Sequence, residues 1–161
     1  MKEIKIEIKM TEIAHYSELE DSVRNLCEEA IQFSKNAYAP YSNFQVSACI
    51  LMSGGQIVKG TNVENASYPA GICAERNALT TAISNYPKEK ITDIAIYVNK
   101  ELGQVVPPCG ICRQSLLEAE SRQKHPIKIW LIGYNGKVIN VASSTDLLPL
   151  SFTGDFLAEN S

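Results

Sequence analysis

The sequence predicts an α/β fold in which helices cover the faces of one mixed sheet. Two observations carry this prediction. Apolar residues alternate with a period of two up to a Gly-Gly pair at 54–55 and resume at 57–58, and beyond them helical stretches alternate with short β-rich runs. The chain has 161 residues, of which 45% are hydrophobic and 20% charged, so it is long enough for one core. No repeat or linker divides it.

The first elements are predicted from the N-terminal third of the chain. Apolar residues at positions 4, 6, 8 and 10 alternate with charged ones, which is typical of a half-buried strand, although the segment equally suits a tail. A helix is expected next and should end before Pro40. Ser17 and Glu20, three residues apart, predict a capping box at its start. Its apolar side has six members at helical spacing: Leu19, Val23, Leu26, Ala30, Phe33 and Ala37.

The remaining elements alternate between strands and helices. The period-two run at 44–52 and the apolar pair at 57–58 flank Gly54 and Gly55 and predict a hairpin, which opens the sheet with an antiparallel pair. The other predicted elements are helical stretches near 73–84 and 109–122 and β-rich runs at 91–98 and 127–132.

Charge and hydropathy exclude several classes of partner. The net charge of −3 gives no reason to expect a nucleic-acid polymer, and the basic cluster of Arg122, Lys124 and Lys128 is typical of a solvated surface. No apolar run reaches the roughly 18 residues of a membrane span, and the charged opening lacks the apolar centre of a signal peptide. We therefore expect a cytoplasmic protein that acts on a small molecule, with its five cysteines reduced.

Three cysteines stand at the predicted starts of two helices. Cys109 and Cys112 form a Cys-x-x-Cys pair, which alone is equally typical of a redox pair, half of a structural zinc site, or coincidence. Cys73 also opens a helix, where free N–H groups and the helix dipole favour thiolate. Two helix N-termini can thus bring three thiolates to one Zn²⁺ and leave the fourth position open, which is the pattern of a catalytic site.

Glu75 follows Cys73 by two residues. Zinc deaminases carry a His- or Cys-x-Glu sequence together with Pro-Cys-x-x-Cys, and Glu75 stands where that signature has its proton shuttle. Residues two apart do not share a helix face, so we do not expect Glu75 to bind the metal beside Cys73. The alternative is an exposed first-turn glutamate favoured by the helix dipole.

Two arginines adjoin the candidate ligands. Three thiolates on a divalent ion leave a charge of about −1, so a positive group is expected nearby. Arg76 is the stronger candidate for donating hydrogen bonds to the sulfurs and Arg113 the weaker one, the alternative for each being a surface ion pair. Four further cysteines and histidines are expected to pack or to have no chemical role: Cys27, Cys49, His15 and His125.

Four blocks of the sequence resemble the small-subunit, three-cysteine zinc type of the cytidine deaminase family. They are Tyr38–Phe44, Asn62–Tyr68, Cys73–Arg76 and Pro108–Gln114, and the likeness runs from about Tyr38 to Phe152. The resemblance implies a three-layer α/β/α sandwich with a mixed five-stranded sheet. Residues 1–17 then form an N-terminal extension, suited to an extra edge strand or a subunit contact, and residues 18–161 form a single deaminase domain.

The resemblance also implies an activity and its residues. It implies hydrolytic deamination of cytidine and deoxycytidine by a homotetramer with shared active sites, with Zn²⁺ on Cys73, Cys109 and Cys112 and with Glu75 as proton shuttle. The substrate residues it assigns are Asn62 and Glu64 at the ribose, Phe44 beside the pyrimidine, Ala74, and Phe152, which reaches a neighbouring subunit's site. Ser47 departs from the glycine that the family commonly has there.

Other functions remain open at this point. A deaminase of another aminated heterocycle, such as a nucleoside antibiotic, would keep zinc and Glu75 without requiring Asn62 and Glu64. A non-catalytic zinc module would need a fourth protein ligand. A redox protein would form a reversible disulfide between Cys109 and Cys112. A nucleic-acid polymer is not expected, because the Glu64 carboxylate repels phosphate.

Overall fold

The computed structural model describes residues 1–157 of the chain. Its strands and helices, in chain order, are β1 (Met10–Ile13), α1 (Asp21–Phe33), β2 (Val46–Met52), β3 (Ile57–Thr61), α2 (Ala74–Asn85), β4 (Ile91–Val98), α3 (Gly110–Gln123), β5 (Lys128–Ile132) and β6 (Val138–Val141). The predicted hairpin, the two later helices and the two β-rich runs are therefore confirmed. No helix in this part of the chain has the length and apolar character needed to cross a bilayer.

One mixed sheet runs through the molecule in the order β1-β6-β5-β4-β2-β3. Strands β4 and β5 are parallel, and the other neighbours are antiparallel. The expected strand number of five was wrong, because β1 adds a sixth strand at the edge. This strand lies within residues 1–17, the predicted extension, and pairs with β6, with Met10 opposite Val141 and Ile13 opposite Val138.

Helices cover both faces of this sheet. On one face α1 buries Leu26 and Ala30 against Tyr97 of β4. On the other face α2 and α3 bury residues such as Ala78 and Leu116 against the isoleucines of the central strands. This arrangement confirms the three-layer α/β/α sandwich. It also explains the almost continuous burial of β4, because both faces of a central strand are covered.

The predicted capping box is wrong. Ser17 lies in a 3-10 turn at Tyr16–Glu18, where its N–H donates to Nδ1 of His15 at 3.2 Å. Leu19 and Glu20 have ψ angles of 155° and 153°, so α1 begins only at Asp21 and its cap residue makes no side-chain hydrogen bond. Ser17 and Glu20 have the spacing of a capping box, but the extended backbone at Leu19 and Glu20 places the start of α1 after both of them.

The contact between α1 and β2 contains three residues that the sequence analysis singled out: Cys27, Cys49 and Ser47. Cys27 and Cys49 are fully buried, as predicted for packing residues, and burial raises the pKa of each thiol to about 12. Ser47, the departure from the family glycine, donates its buried hydroxyl to the carbonyl oxygen of Ala30 at 2.5 Å. This serine therefore joins β2 to α1.

Candidate metal centre

The three predicted cysteines meet at the N-termini of α2 and α3. Cys73 is the N-cap residue of α2, Cys109 is the N-cap residue of α3, and Cys112 lies in the first turn of α3. The Sγ atoms of Cys73 and Cys109 are 4.0 Å apart, and those of Cys109 and Cys112 are 3.4 Å apart. All three sulfurs lie within 4.8 Å of one another. Residues 36 positions apart in sequence thus form one cluster.

These sulfurs fit a zinc ion. A tetrahedral zinc with Zn–S bonds of about 2.3 Å holds its sulfurs about 3.8 Å apart. The two separations above lie on either side of that value. Within residues 1–157, no fourth His, Cys, Asp or Glu atom joins the cluster at this spacing. The cluster could therefore hold a metal ion with one coordination position left for a ligand that is not protein.

Burial and hydrogen bonding act differently on the three thiols. Burial raises the pKa of Cys112, which is fully buried, and of Cys73. Burial also acts to raise the pKa of Cys109, but hydrogen bonds from the backbone and side chain of Cys112 outweigh it, so this pKa lies below its ordinary value. A metal must displace the remaining protons, so binding depends on pH.

Glu75 lies beside the cluster in the first turn of α2. Its side chain is 6% exposed, and it lines a cavity of about 260 Å³ together with Cys73 and Cys109. Burial raises the pKa of its carboxyl group above the ordinary range. An exposed first-turn glutamate, the alternative for this residue, is therefore excluded. A carboxyl group with a raised pKa exchanges protons closer to neutral pH.

The cavity beside Glu75 is mostly apolar. Phe44 and Ala74 line it, as does Asn62, and its remaining wall consists of Val46, Ile96, Val98, Val106 and Pro107. A groove of about 440 Å³ adjoins it, since Asn62 and Cys73 line both spaces. Glu64 lines only the groove. The sequence-predicted residues are therefore divided between an inner cavity at the sulfurs and an outer groove.

Asn62 and Glu64 are each held by the segment that precedes β2. The Asn62 side chain accepts from the N–H of Val46 at 2.8 Å and donates to the carbonyl of Phe44 at 2.8 Å. The Glu64 carboxylate accepts from the N–H of Tyr41 at 2.9 Å, from the N–H of Ser42 at 3.3 Å and from the Ser42 hydroxyl. The hydrogen bond from the Ser42 hydroxyl is the main cause that holds the pKa of Glu64 below its ordinary value.

Arg113 does not contact the sulfurs in the expected way. Its Nε donates to the carbonyl of Pro108 at 2.8 Å, and a terminal nitrogen donates to the carbonyl of Leu147 at 3.2 Å. It therefore positions the residue before Cys109 rather than neutralising a thiolate directly. In the part of the chain that the structure describes, Arg76 makes no hydrogen bond to a sulfur either, and its role stays a prediction.

Phe152 lies away from both spaces. Its side chain is 58% exposed and stacks on Phe156 with ring centroids 5.8 Å apart. Its carbonyl accepts a hydrogen bond from Gln114 of α3 at 2.8 Å, which fixes the backbone near this residue. Phe152 therefore lines neither the inner cavity nor the outer groove of its own chain.

Sequence reasoning assigned no role to Gly60, which lies on β3 beneath α2. A Cβ atom at Gly60 would stand 2.4 Å from the backbone nitrogen of Ala78 and 2.8 Å from the carbonyl oxygen of Ala74. Glycine thus allows the N-terminal half of α2, with Glu75, to lie close on the sheet. The signal that could have found it is a glycine two residues beyond the apolar pair at 57–58, because a glycine inside a strand often marks a close approach.

Comparison with known proteins identifies the family. A family model described as the cytidine and deoxycytidylate deaminase zinc-binding region matches residues 20–125. The chain belongs to this family. A cytidine deaminase of Halalkalibacterium halodurans is 41% identical over 130 residues, which cover 81% of this chain and 93% of that protein. The 1.6 Å crystal structure of cytidine deaminase from Burkholderia pseudomallei has a TM-score of 0.70 and 38% identity, and the match covers 80% of this chain and 97% of that one.

The chain is also similar to a deaminase with another name. A blasticidin-S deaminase of Bacillus cereus is 30% identical over 114 residues, covering 67% of this chain and 76% of that protein. The matching family model describes a zinc-binding region, and the three-cysteine cluster of this chain could hold the ion.

Proposed function

We propose that this chain catalyses the zinc-dependent hydrolytic deamination of cytidine and deoxycytidine to uridine and deoxyuridine, with release of ammonia. The observation that carries this proposal is the placement of Glu75, buried and unliganded, on the same cavity wall as Cys73 and Cys109. An incomplete set of protein ligands beside a buried carboxyl group suits hydrolysis and does not suit a structural zinc module.

The proposed zinc ligands are Cys73, Cys109 and Cys112. Zinc bound there supplies a Lewis acid that makes water acidic enough to attack near neutral pH. The chain itself supplies two helix N-termini, whose partial positive charge opposes the burial that raises the pKa of Cys73 and Cys112. A redox role for Cys109 and Cys112 is less favoured, because the third sulfur, of Cys73, lies within 4.8 Å of both.

Glu75 is the proposed proton shuttle. Its carboxylate takes a proton from the attacking water and delivers it to ring N3, which makes C4 of the base more electrophilic. The second water proton follows the same path to the amino group. The C4–N bond then breaks, ammonia leaves, and the oxygen from water stays on C4 as the uridine carbonyl. Because Glu75 is 6% exposed, bulk water does not compete for these transfers.

The two spaces suit the two halves of a nucleoside. We place the pyrimidine in the inner cavity, where Phe44, Ala74 and the apolar wall fit a flat ring. The ribose then extends to Asn62 and to Glu64 in the groove. Glu64 already accepts three hydrogen bonds, but a carboxylate has about four acceptor positions, so one remains for a sugar hydroxyl.

A free nucleoside is favoured over a phosphorylated or polymeric substrate. The hydrogen bonds on Glu64 hold its pKa low, so the groove carries a negative charge at neutral pH, which repels phosphate. We propose the cytoplasm as the compartment, because five free cysteines, three of them zinc ligands, require reducing conditions.

We also propose a homotetramer whose subunits share active sites. Phe152 of one subunit would close the groove of another, and Arg76 would compensate the charge of the thiolates. The exposure of Phe152 and its absence from its own chain's cavities support this assignment. The division into an extension at residues 1–17 and one deaminase domain at 18–161 stands as part of the same proposal.

The test is ammonia release from a panel of substrates by the zinc-loaded protein, with zinc measured per chain. The panel contains cytidine, deoxycytidine, cytosine, adenosine, guanine and blasticidin S. We expect the two cytosine nucleosides to react fastest, and Glu64→Ala to lower kcat/KM for cytidine without affecting cytosine. Faster release from blasticidin S, or an equal effect of this variant on both substrates, would contradict the proposed substrate. Stoichiometric zinc with no ammonia from any substrate would contradict an enzymatic role.

A further inference from the structure

The N-terminal segment at residues 3–9 lies outside the sheet although it continues the chain of β1. Its apolar side chains are exposed, with Ile4 at 82%, Ile6 at 50% and Ile8 at 40%. Strand pairing within residues 1–157 begins only at Met10. Isoleucine has a strong preference for strands, so a run of three exposed isoleucines beside an edge strand is a surface that natural proteins usually cover.

The charged residues of this segment stand on the opposite side of the chain from the isoleucines. Glu3, Lys5, Glu7 and Lys9 alternate in sign at the odd positions. The structure brings Lys5 Nζ to within 2.5 Å of a carboxylate oxygen of Glu7. Side chains two residues apart approach in this way when the backbone is extended, because they project to one side.

The pattern is complementary to itself under a two-fold axis through Ile6. When two copies run antiparallel with Ile6 opposite Ile6, Glu3 faces Lys9 and Lys5 faces Glu7. In the same register Ile4 faces Ile8. Every charged pair then has opposite signs and every apolar residue meets an apolar one. Cross-strand pairs of both kinds stabilise antiparallel sheets.

Other registers lose this match. Sliding one strand by two residues along the other places Lys5 opposite Lys5 of the second copy, or Glu7 opposite Glu7. Sliding it by one residue places isoleucines opposite charged residues. In a parallel, in-register pair each charge meets its own kind. A shift of four residues restores opposite signs but forms only one kind of charged pair, Glu3 with Lys5 or Glu7 with Lys9, instead of two. The register centred on Ile6 therefore forms the largest number of complementary cross-strand pairs.

We propose that residues 3–9 of one chain form an antiparallel, two-fold symmetric β-pair with residues 3–9 of a second copy of this chain. The contact is isologous, so it closes after two chains and does not propagate into a fibre. It packs the exposed isoleucines of each copy beside those of the other. It is independent of the deaminase activity, because no residue of the metal cluster or its cavities takes part.

A charge-exchange cycle tests this pairing. Amide hydrogen exchange at residues 3–9 is measured in the full-length, zinc-loaded protein over a range of protein concentrations. We expect protection that increases with concentration in the wild type. Glu3→Lys opposes Lys to Lys and Lys9→Glu opposes Glu to Glu, so each single variant should lose protection. The double variant restores opposite signs and should regain it.

Three results would overturn the proposal. Exchange at the rate of an unstructured peptide in the wild type would show that the segment is unpaired. Protection that does not change with concentration would indicate docking on the segment's own chain. A double variant no better protected than the single ones would show that Glu3 and Lys9 do not face each other.

Disulfide cross-linking tests the register separately. Under a mild thiol oxidant, Ile6→Cys should give a covalent dimer by itself, because residue 6 alone lies opposite its own copy. Ile4→Cys and Ile8→Cys should cross-link when the two variants are mixed and not when either is alone. The wild type, with its five native cysteines, is the background control. Equal cross-linking of Ile4→Cys alone and Ile6→Cys alone would contradict the register.

Discussion

Arg113 donates its Nε–H to the carbonyl oxygen of Pro108 across 2.8 Å. Pro108 immediately precedes Cys109, so this hydrogen bond ties the loop before α3 to a side chain in the first turn of the same helix. The guanidinium also reaches the carbonyl of Leu147, in the segment that leads to Phe152. One arginine thus links the zinc-ligand loop to the C-terminal segment.

Replacing Arg113 should weaken zinc binding without removing a ligand. Loss of a group that orients a metal ligand typically costs about 10- to 100-fold in affinity. We expect Arg113→Ala to lower zinc affinity by that factor, measured by competition with a chromophoric chelator. Arg113→Lys should recover little, because lysine lacks the planar fork that reaches two carbonyls. Arg122→Ala, at an exposed position of the same helix, is the control, and an equal loss there would contradict the role of Arg113.

Glu75→Gln should separate zinc binding from turnover. The amide preserves the shape of the side chain, and Glu75 is not one of the clustered ligands, so zinc per chain should stay at the wild-type value. Turnover should fall by about 10²- to 10⁴-fold or more, because the amide cannot carry protons. Cytidine loss followed by absorbance gives the rate. A variant that keeps both zinc and a near-normal rate would refute the shuttle.

Glu120 should contribute strongly to stability. This buried carboxylate accepts hydrogen bonds from the N–H of Ile127 at 2.8 Å, from the N–H and hydroxyl of Ser144 at 2.9 Å each, and from the Ser143 hydroxyl. Glu120→Ala leaves two backbone N–H groups without their partner, so we expect the free energy of unfolding to fall by about 2–4 kcal/mol in urea denaturation. Glu118→Ala, at an exposed position of α3, should change it by less than about 0.5 kcal/mol.

Stability should decline at alkaline pH because of Cys27 and Cys49. Their ordinary pKa of 9.0 is raised to about 12 by burial. The unfolded chain releases these protons first, so their contribution is fully present below pH 9 and is lost as the pH rises toward 12. Each thiol lowers the free energy of unfolding by at most about 1.4 kcal/mol per pH unit in that window. Urea unfolding of zinc-saturated protein from pH 8 to 11 checks this.

The matched variant for this pH dependence is Cys27→Ala combined with Cys49→Ala. It removes both buried thiols and leaves the three clustered cysteines in place. We expect it to be less stable near neutral pH but to lose less stability on going from pH 9 upward. An identical slope in the variant and the wild type would show that these two thiols do not cause it.

Sequence patterns predicted most of the fold because the long elements bury regular apolar sets. The strand at Ile91–Val98 ends in five consecutive apolar residues, 94–98, and the hairpin turn has two glycines, of which Gly55 has a positive φ of 88°. The length of β1, the edge strand of the sheet, was harder to predict. The alternation from Ile4 onward indicated a strand from the start of the chain, but β6 offers only four residues to pair with, so β1 is equally short.

The metal cluster was predictable because its three cysteines stand at the starts of two predicted helices, and two of them have Cys-x-x-Cys spacing. The contacts of Asn62 were not, since its side chain is held by the backbone of Phe44 and Val46, which lie sixteen or more positions away. The role of Arg113 was missed for the same reason. Adjacency to Cys112 in sequence suggested a contact with sulfur, whereas tertiary structure brings two carbonyls to its guanidinium.

X-ray absorption at the zinc edge of the loaded protein measures the coordination sphere itself. We expect three sulfur atoms at about 2.3 Å and one oxygen or nitrogen atom at about 2.0 Å. Cys73→Ser should lower the sulfur number from three to two. Four sulfurs, two imidazole nitrogens, or a sulfur number unchanged by that substitution would contradict a three-cysteine site with one position left for water.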